Sequence, residues 1–243
     1  MVIAMWSGPR NLSTALMRSF ENRLDTTVID EPFYAHFLQK TGIEHPGKQE
    51  VLKSQSTKWE EVVSLCTGKI PNNKSIWYQK HMAQHNLEGY DIRWIKKIKN
   101  CLLIRDPKYV IASYNKEYPI RDVSLLGYLQ QEKIIELLVR ENNETPPIID
   151  ATDLLRFPKK ILEKLCSRLG IEFSVRMLSW PAGKRDTDGV WGSHWYKGVE
   201  ESVGFLSYKK KDIKLSKKLI PIYENCMISY EKMYENRIRL DNG

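Results

Sequence analysis

The stretch VIAMWSGPRNLSTALMRSF, Val2 to Phe20, limits what this chain can fold into more than any other. Val2–Trp6 is a short, partly β-branched apolar run, the pattern of a buried strand. Ser7, Gly8 and Pro9 break it, because Gly accepts unusual backbone angles and Pro cannot donate to a ladder. From Ser13 onward the spacing turns helical, with Ala15, Leu16, Met17 and Phe20 on an inward side. A strand, a tight loop and a helix aim a helix N-terminus at whatever sits over the loop. Such a place attracts phosphate or sulfate, since the dipole and the unpaired N–H donors both favour an anion. Arg10 adds a permanent positive charge, and Ser13 and Thr14 add hydroxyl donors. The plainer alternative is that Ser13 or Thr14 caps the helix while Arg10 is solvated. The loop GPRNLST lacks the second Gly and the Lys of the GxxxxGK[ST] phosphate loop of nucleotide kinases.

A second segment, CLLIRDPKYVIASY over residues 101–114, repeats the pattern. An apolar strand leads to Arg105-Asp106-Pro107, then to a helix with Ser113 eight positions after Arg105. Together the two segments resemble the sulfotransferases that use 3′-phosphoadenosine 5′-phosphosulfate (PAPS). In that family a strand–loop–helix of the type PRSGST holds the 5′-phosphosulfate. A later strand ending in RDP, with Ser eight residues after the Arg, holds the 3′-phosphate. The resemblance assigns Pro9, Arg10, Asn11, Leu12, Ser13 and Thr14 to the first task, and Arg105 and Ser113 to the second. It implies a P-loop-like nucleotide-binding fold, PAPS as co-substrate and 3′-phosphoadenosine 5′-phosphate (PAP) as product. Leu12 departs from the pattern, standing where the family usually has Gly, so a shifted loop backbone is expected.

A chain of 243 residues suits one substantial domain, here spanning 1–243. Hydrophobic residues at 42% and charged residues at 28% describe an ordinary globular protein. The net charge of +8 calls for an acidic partner. The Lys runs at 96–99 and 209–211 read as solvated faces, and a sulfated nucleotide accounts for the charge without nucleic acid. Cys66, Cys101, Cys166 and Cys226 lie far apart with no CxxC pair, so reduced thiols in a cytoplasm are expected. The fold begins at Val2 and no apolar run reaches membrane-spanning length, so neither a signal peptide nor a membrane anchor is expected.

Further strands are expected at Thr26–Ile29, Ser75–Gln79, Cys101–Ile104 and Ile148–Ile149. Helices are expected over much of 33–68 and at Tyr109–Glu117, Val123–Glu141, Pro158–Leu169 and Ile213–Ile238. The alternation gives an α/β fold, three-layered, with a mainly parallel sheet of four or five strands. Ligands in such sheets bind outside the strands' carboxyl ends. That rule gathers Arg10, Glu31, Lys80, His81 and Arg105 on one rim.

Sulfuryl transfer needs an aligned acceptor oxygen, a base for its proton and a stabilised leaving phosphate. Arg10 and the Ser13–Thr14 helix start suit the charge task. Glu31 is the first choice of base: it ends the second strand, twenty-one residues after Arg10, and Pro32 fixes the turn. The Glu-using branches of the family place their base likewise after the first helix. Adjacent Asp30 should point to the opposite face if extended geometry continues. His81 is the competing base, because the cytosolic branch uses a His after a middle strand. Lys80 would neutralise the acceptor or the bridging oxygen. His36 and His45 flank the acceptor side at best. No metal-binding spacing appears, so no metal is expected.

The polar-aromatic segment Lys184–Phe205 reads equally as a cofactor lid or as a loop packed on the sheet. Lys184 and Arg185 in it are candidates for neutralising the 3′-phosphate. The favoured function is sulfuryl transfer from PAPS to a hydroxyl, or an amine, of a small-molecule acceptor. A nucleotide-dependent kinase is the enzyme alternative, weakened by the missing Lys and Mg-binding Asp. A non-catalytic nucleotide- or nucleic-acid-binding module is the third, although no recognition motif for nucleic acid is present.

Overall fold

The computed structural model describes residues 1–240; residues 241–243, the end of the span expected to form one domain, lie outside the described residues. Five strands, β1 (Val2–Ser7), β2 (Thr26–Asp30), β3 (Ile76–Met82), β4 (Lys99–Ile104) and β5 (Ile148–Asp150), form one sheet. Its order is β2-β3-β1-β4-β5, and every neighbouring pair is parallel. The apolar run of β1 shows why it sits in the centre. Alternate side chains point to opposite faces, and both sets are buried. Ile3 and Met5 join a core with Leu16 and Phe20 of α1 (Ser13–Glu21) and Ile161 and Leu165 of a helix at Pro158–Leu169. Ala4 and Trp6 join the opposite core with Leu102, Val110, Leu137 and Tyr230. Each large apolar side chain so buried stabilises the fold by about 1.5–3 kcal/mol.

Helices therefore cover both faces, giving three layers. Between β2 and β3 run α2 (Tyr34–Thr41), α3 (Lys48–Ser54) and α4 (Trp59–Cys66). After β4 come α5 (Pro107–Glu117) and α6 (Tyr128–Asn142), and after β5 α7 (Ala151–Arg156) and the helix at Pro158–Leu169, α8. The late segment holds two single turns, α9 (Gly192–Trp195) and α10 (Lys197–Glu200), and the last long helix is α11 (Ile220–Glu235). Connections leave β1 toward β2 but leave β3 toward β4, on the other side of β1. The reversal opens a crevice at the carboxyl ends of β1 and β4. Gln131 of α6, fully buried, braces that edge by donating to the carbonyls of both Trp6 and Leu103 at 3.1 Å.

Three boundaries differ from the sequence reading. The single helix expected over Val123–Glu141 is a short tight turn at Val123–Leu126 followed by α6. Gly127 separates them at φ 78°, a left-handed conformation no helix interior contains. The C-terminal helix begins only near Lys217, and residues 206–216 run without helix or strand. Strand β3 continues to Met82, so Lys80 and His81 lie inside it rather than past its end.

Gly127 also packs closely: a Cβ there would lie 3.2 Å from the Gln84 side-chain oxygen and 3.4 Å from Ala83 Cβ. Gly127→Ala should therefore cost about 1–2 kcal/mol, the left-handed penalty for a residue with a Cβ. Urea unfolding of the pair checks this; equal midpoints would show that the turn relaxes freely.

Candidate active site

The loop after β1 is wound by two residues that are not glycine. Arg10 (φ 59°) and Leu12 (φ 66°) both take left-handed backbone angles. Leu12 thus reproduces at some strain, about 1–2 kcal/mol, the conformation a Gly would take freely. Asn11 is buried beneath the loop, its amide oxygen 3.3 Å from the Gly8 N–H and its amide nitrogen 3.3 Å from the Pro9 carbonyl. It braces the loop from within and contributes to the cavity wall with almost no exposed surface. Gly8 is required by contact: a Cβ would come within 2.3 Å of the Leu126 carbonyl oxygen. No side chain caps α1, so Ser13 and Thr14 do not act as caps and the first-turn amides stay open to the crevice.

The second segment meets the first directly. Arg10 Nε donates to Ser113 Oγ at 2.9 Å, and Arg105 Nη1 donates to the Arg10 carbonyl at 2.7 Å. The residues between have local duties: Asp106 caps α5 by accepting from the Lys108 N–H at 2.8 Å, and Pro107 begins that helix. The Arg105 guanidinium also lies over the Tyr109 ring, 5.5 Å from its centre. Arg10, Leu12, Ser13, Thr14, Arg105 and Ser113 all line one cavity of about 740 Å³.

Glu31 and Lys80 line the same cavity. Asp30 and Lys80 are register partners on adjacent strands, and Lys80 Nζ lies 2.8 Å from Asp30 Oδ1. Glu31 was expected on the opposite side from Asp30, yet both carboxylates reach the same ammonium, Glu31 Oε1 at 2.6 Å. The reason is the Glu31 backbone, whose φ of 39° ends strand alternation at that residue. Tyr196 Oη completes the cluster at 2.7 Å from Lys80 Nζ and 2.6 Å from Asp30 Oδ2. All three Lys80 N–H donors are thereby engaged within the protein. Burial pushes the Glu31 carboxyl up, against the opposing pull of Lys80. Burial alone would lower Lys80, but Asp30 and Glu31 outweigh it and hold the ammonium above its ordinary range.

His81 lies elsewhere. Being one residue from Lys80 in a strand, it points to the other face of the sheet. Its ring stacks on Trp6 at 4.3 Å, neighbours Phe33 and Trp94, and meets the Gln79 side-chain oxygen at 3.0 Å. Burial pushes its pKa down to about 3, and it does not line the cavity. Lys184 and Arg185 are also outside it: Arg185 donates to the Pro181 carbonyl at 2.7 Å, with Nε 3.8 Å from Glu21. Lys209 and Lys211, read above as a solvated run, line the cavity instead, beside Tyr208 and Tyr109. No sequence signal separated them from the other Lys of that tail.

The late segment is partly anchor and partly wall. Fully buried Arg18 of α1 holds Asp188 at 2.6 Å, and the Gly189 N–H donates to Asp30 Oδ2 at 3.1 Å. Trp191 and Tyr196 are buried, and both line the cavity together with Trp195, Val199 and Phe205. Tyr34, Met82, His85 and Tyr114 also line the cavity, with His45 2.8 Å from Tyr34 Oη. His45, which burial pushes down to about 4, lines the cavity, whereas His36 is buried against the Thr57 carbonyl.

With this geometry established, the model of the sulfotransferase domain matches residues 1–229. The chain belongs to that family. Among relatives from Arabidopsis thaliana, branched-chain-amino-acid aminotransferase-like protein 1 is 42% identical over 211 residues, 86% of this chain and 37% of the relative. Protein 2 of the same name is 37% identical over 231 residues, 94% of this chain and 40% of the relative. The chain thus spans about two-fifths of the relatives it matches. The sulfotransferase domain from the curacin biosynthetic pathway superposes with a TM-score of 0.53 at 16% identity, covering 94% of this chain and 96% of that one. At that identity the likeness shows the shared P-loop-like fold.

A sealed His81 carries a pH signature. Unfolded, it takes a proton near pH 6.5; folded, only near 3, so its contribution is intact above about 6.5 and is lost as pH falls toward 3. Between pH 7 and 5 this amounts to about 2 kcal/mol. His81→Gln, whatever its stability at pH 7, should lose that much less over the same interval in urea unfolding. An identical loss in both proteins would return His81 to solvent contact.

Proposed function

We propose that the protein is a sulfotransferase that moves a sulfuryl group from PAPS to a hydroxyl, or an amine, of a small-molecule acceptor. One observation carries this reading: an anion-attracting loop and a buried carboxylate–ammonium cluster open on one cavity. The donor set suits a nucleotide with two anionic ends. Arg10 and the uncapped amides of α1 serve one end, and Arg105, Ser113, Lys209 and Lys211 the other. When bound, PAPS supplies the activated sulfuryl group and leaves as PAP.

Glu31 takes the acceptor proton. Its raised carboxyl is a better match to a neutral-pH base than a solvated one, and 11% of its side chain stays exposed. Lys80, with its donors engaged by protein, acts by keeping Glu31 charged and fixed rather than by reaching the acceptor. Arg10 balances charge that builds on the leaving phosphate. Tyr34, Met82, Tyr114 and Trp195 form an apolar wall that orients a small acceptor and keeps water from competing. Four free, buried cysteines suit a reducing cytoplasm. Among the described residues no helix is long and apolar enough to cross a membrane.

Two measurements test the reading. In calorimetry PAP should bind more tightly than AMP by about 1.5–3 kcal/mol, roughly ten- to a hundredfold, through the added 3′-phosphate contacts. Equal affinities would overturn the choice of donor. Glu31→Gln keeps the shape of the side chain but not its basicity, and should lower turnover by about 10²–10⁴ while PAP affinity stays nearly intact. A fully active variant would remove Glu31 from the role of base.

A further inference from the structure

We propose that Asp30 and Tyr196 are positioning residues, which fix the Lys80 ammonium against Glu31 and so govern proton uptake there. The proposal rests on the reading of Glu31 as the base, but the cluster that supports it is defined by geometry alone. Lys80 Nζ has three donors and three partners: Asp30 Oδ1 at 2.8 Å, Glu31 Oε1 at 2.6 Å and Tyr196 Oη at 2.7 Å. Tyr196 Oη also receives the Trp191 indole N–H at 3.0 Å. An ammonium and an indole N–H can only donate, so the phenolic proton has one place to go, Asp30 Oδ2 at 2.6 Å. The direction of every bond in the cluster is therefore set.

That direction decides how Lys80 divides its charge. Asp30 is compensated by Tyr196 and by the Gly189 N–H as well as by Lys80. Glu31 takes its hydrogen bond from Lys80, and the nearby Tyr196 hydroxyl also favours its charged form. Removing the phenolic hydroxyl leaves Asp30 one donor short, draws Lys80 toward it, and makes Glu31 easier to protonate. Removing the Asp30 charge does the reverse, leaving Glu31 the one carboxylate on Lys80 and taking away a like charge beside it. Among the other titratable groups around the cluster, burial keeps the Tyr34 phenol of α2 protonated and His45 and His85 neutral near neutrality, while Arg18 and Asp188, beside Gly189, compensate each other as an ion pair.

Two substitutions in one cluster should thus act with opposite sign, which a merely structural role does not produce. The test is a carbon-13 NMR titration of glutamate side-chain carboxyls in the full chain. The Glu31 resonance is the one that Glu31→Gln abolishes. Asp30→Asn should lower its midpoint by about one pH unit or more, roughly a tenfold loss of proton affinity, and Tyr196→Phe should raise it. Unmoved midpoints, or two shifts of the same sign, overturn the proposal. Should Asp30→Asn fail to fold, Tyr196→Phe decides it alone: the Glu31 midpoint rises, or the proposal fails. PAP binding on the same samples reports separately on the sulfotransferase reading, so the two can fail independently.

Discussion

A lysine with 1% of its side chain exposed is the constraint to which this structure answers. An ammonium taken out of water is costly, and removing one member of a buried ion pair commonly destabilises a protein by about 3–5 kcal/mol. Lys80 is held because partners arrive from three parts of the chain: Asp30 by strand register, Glu31 by a turn at the strand end, and Tyr196 from far along the sequence. The late segment must therefore lie on the sheet for the centre of the molecule to be electrically satisfied. Arg18 and Asp188 secure it from the other side. Closing one wall of the cavity and neutralising the buried cation are the same event.

The anion loop is organised by a different economy, that of backbone geometry. Its N–H groups are kept open because the residues able to close them are used elsewhere. Asn11 turns inward to the loop itself, Ser113 accepts from Arg10, and Asp106 serves α5. What remains pointing outward is positive or neutral, while the carboxylate that faces the cavity, Glu31, is tied to Lys80. The cavity thus has a positively charged end at Arg10 and Arg105 and, elsewhere on its wall, the Glu31 carboxylate held by Lys80.

The fold was legible because β1 is apolar on both alternating sets of side chains, and only the centre of a covered parallel sheet accommodates that. The loop and Arg105 were legible because they follow strands. Errors came where strand alternation was applied to the wrong length of chain. Strand β3 runs on to Met82, so Lys80 and His81 face opposite ways; β2 ends at Asp30, so Glu31 escapes alternation altogether. A positive φ at a glutamate before proline leaves no mark in the sequence. Lys209 and Lys211 were missed for another reason: their segment has no periodicity, and only the tertiary path brings it over the cavity. Lys184 and Arg185, chosen for charge beside glycines, sit where the segment is anchored rather than where it forms the wall.

The backbone contact between Gly8 and Leu126 gives the loop a dependence that its own residues do not reveal. A glycine without a side chain rests on a carbonyl just before the turn into α6, and Gln131 one turn later holds the carbonyls beside it. The stretch from 118 to 127 therefore works as a shim under the anion loop. One residue inserted there would lift Leu126 and tilt the loop without touching any residue that lines the cavity.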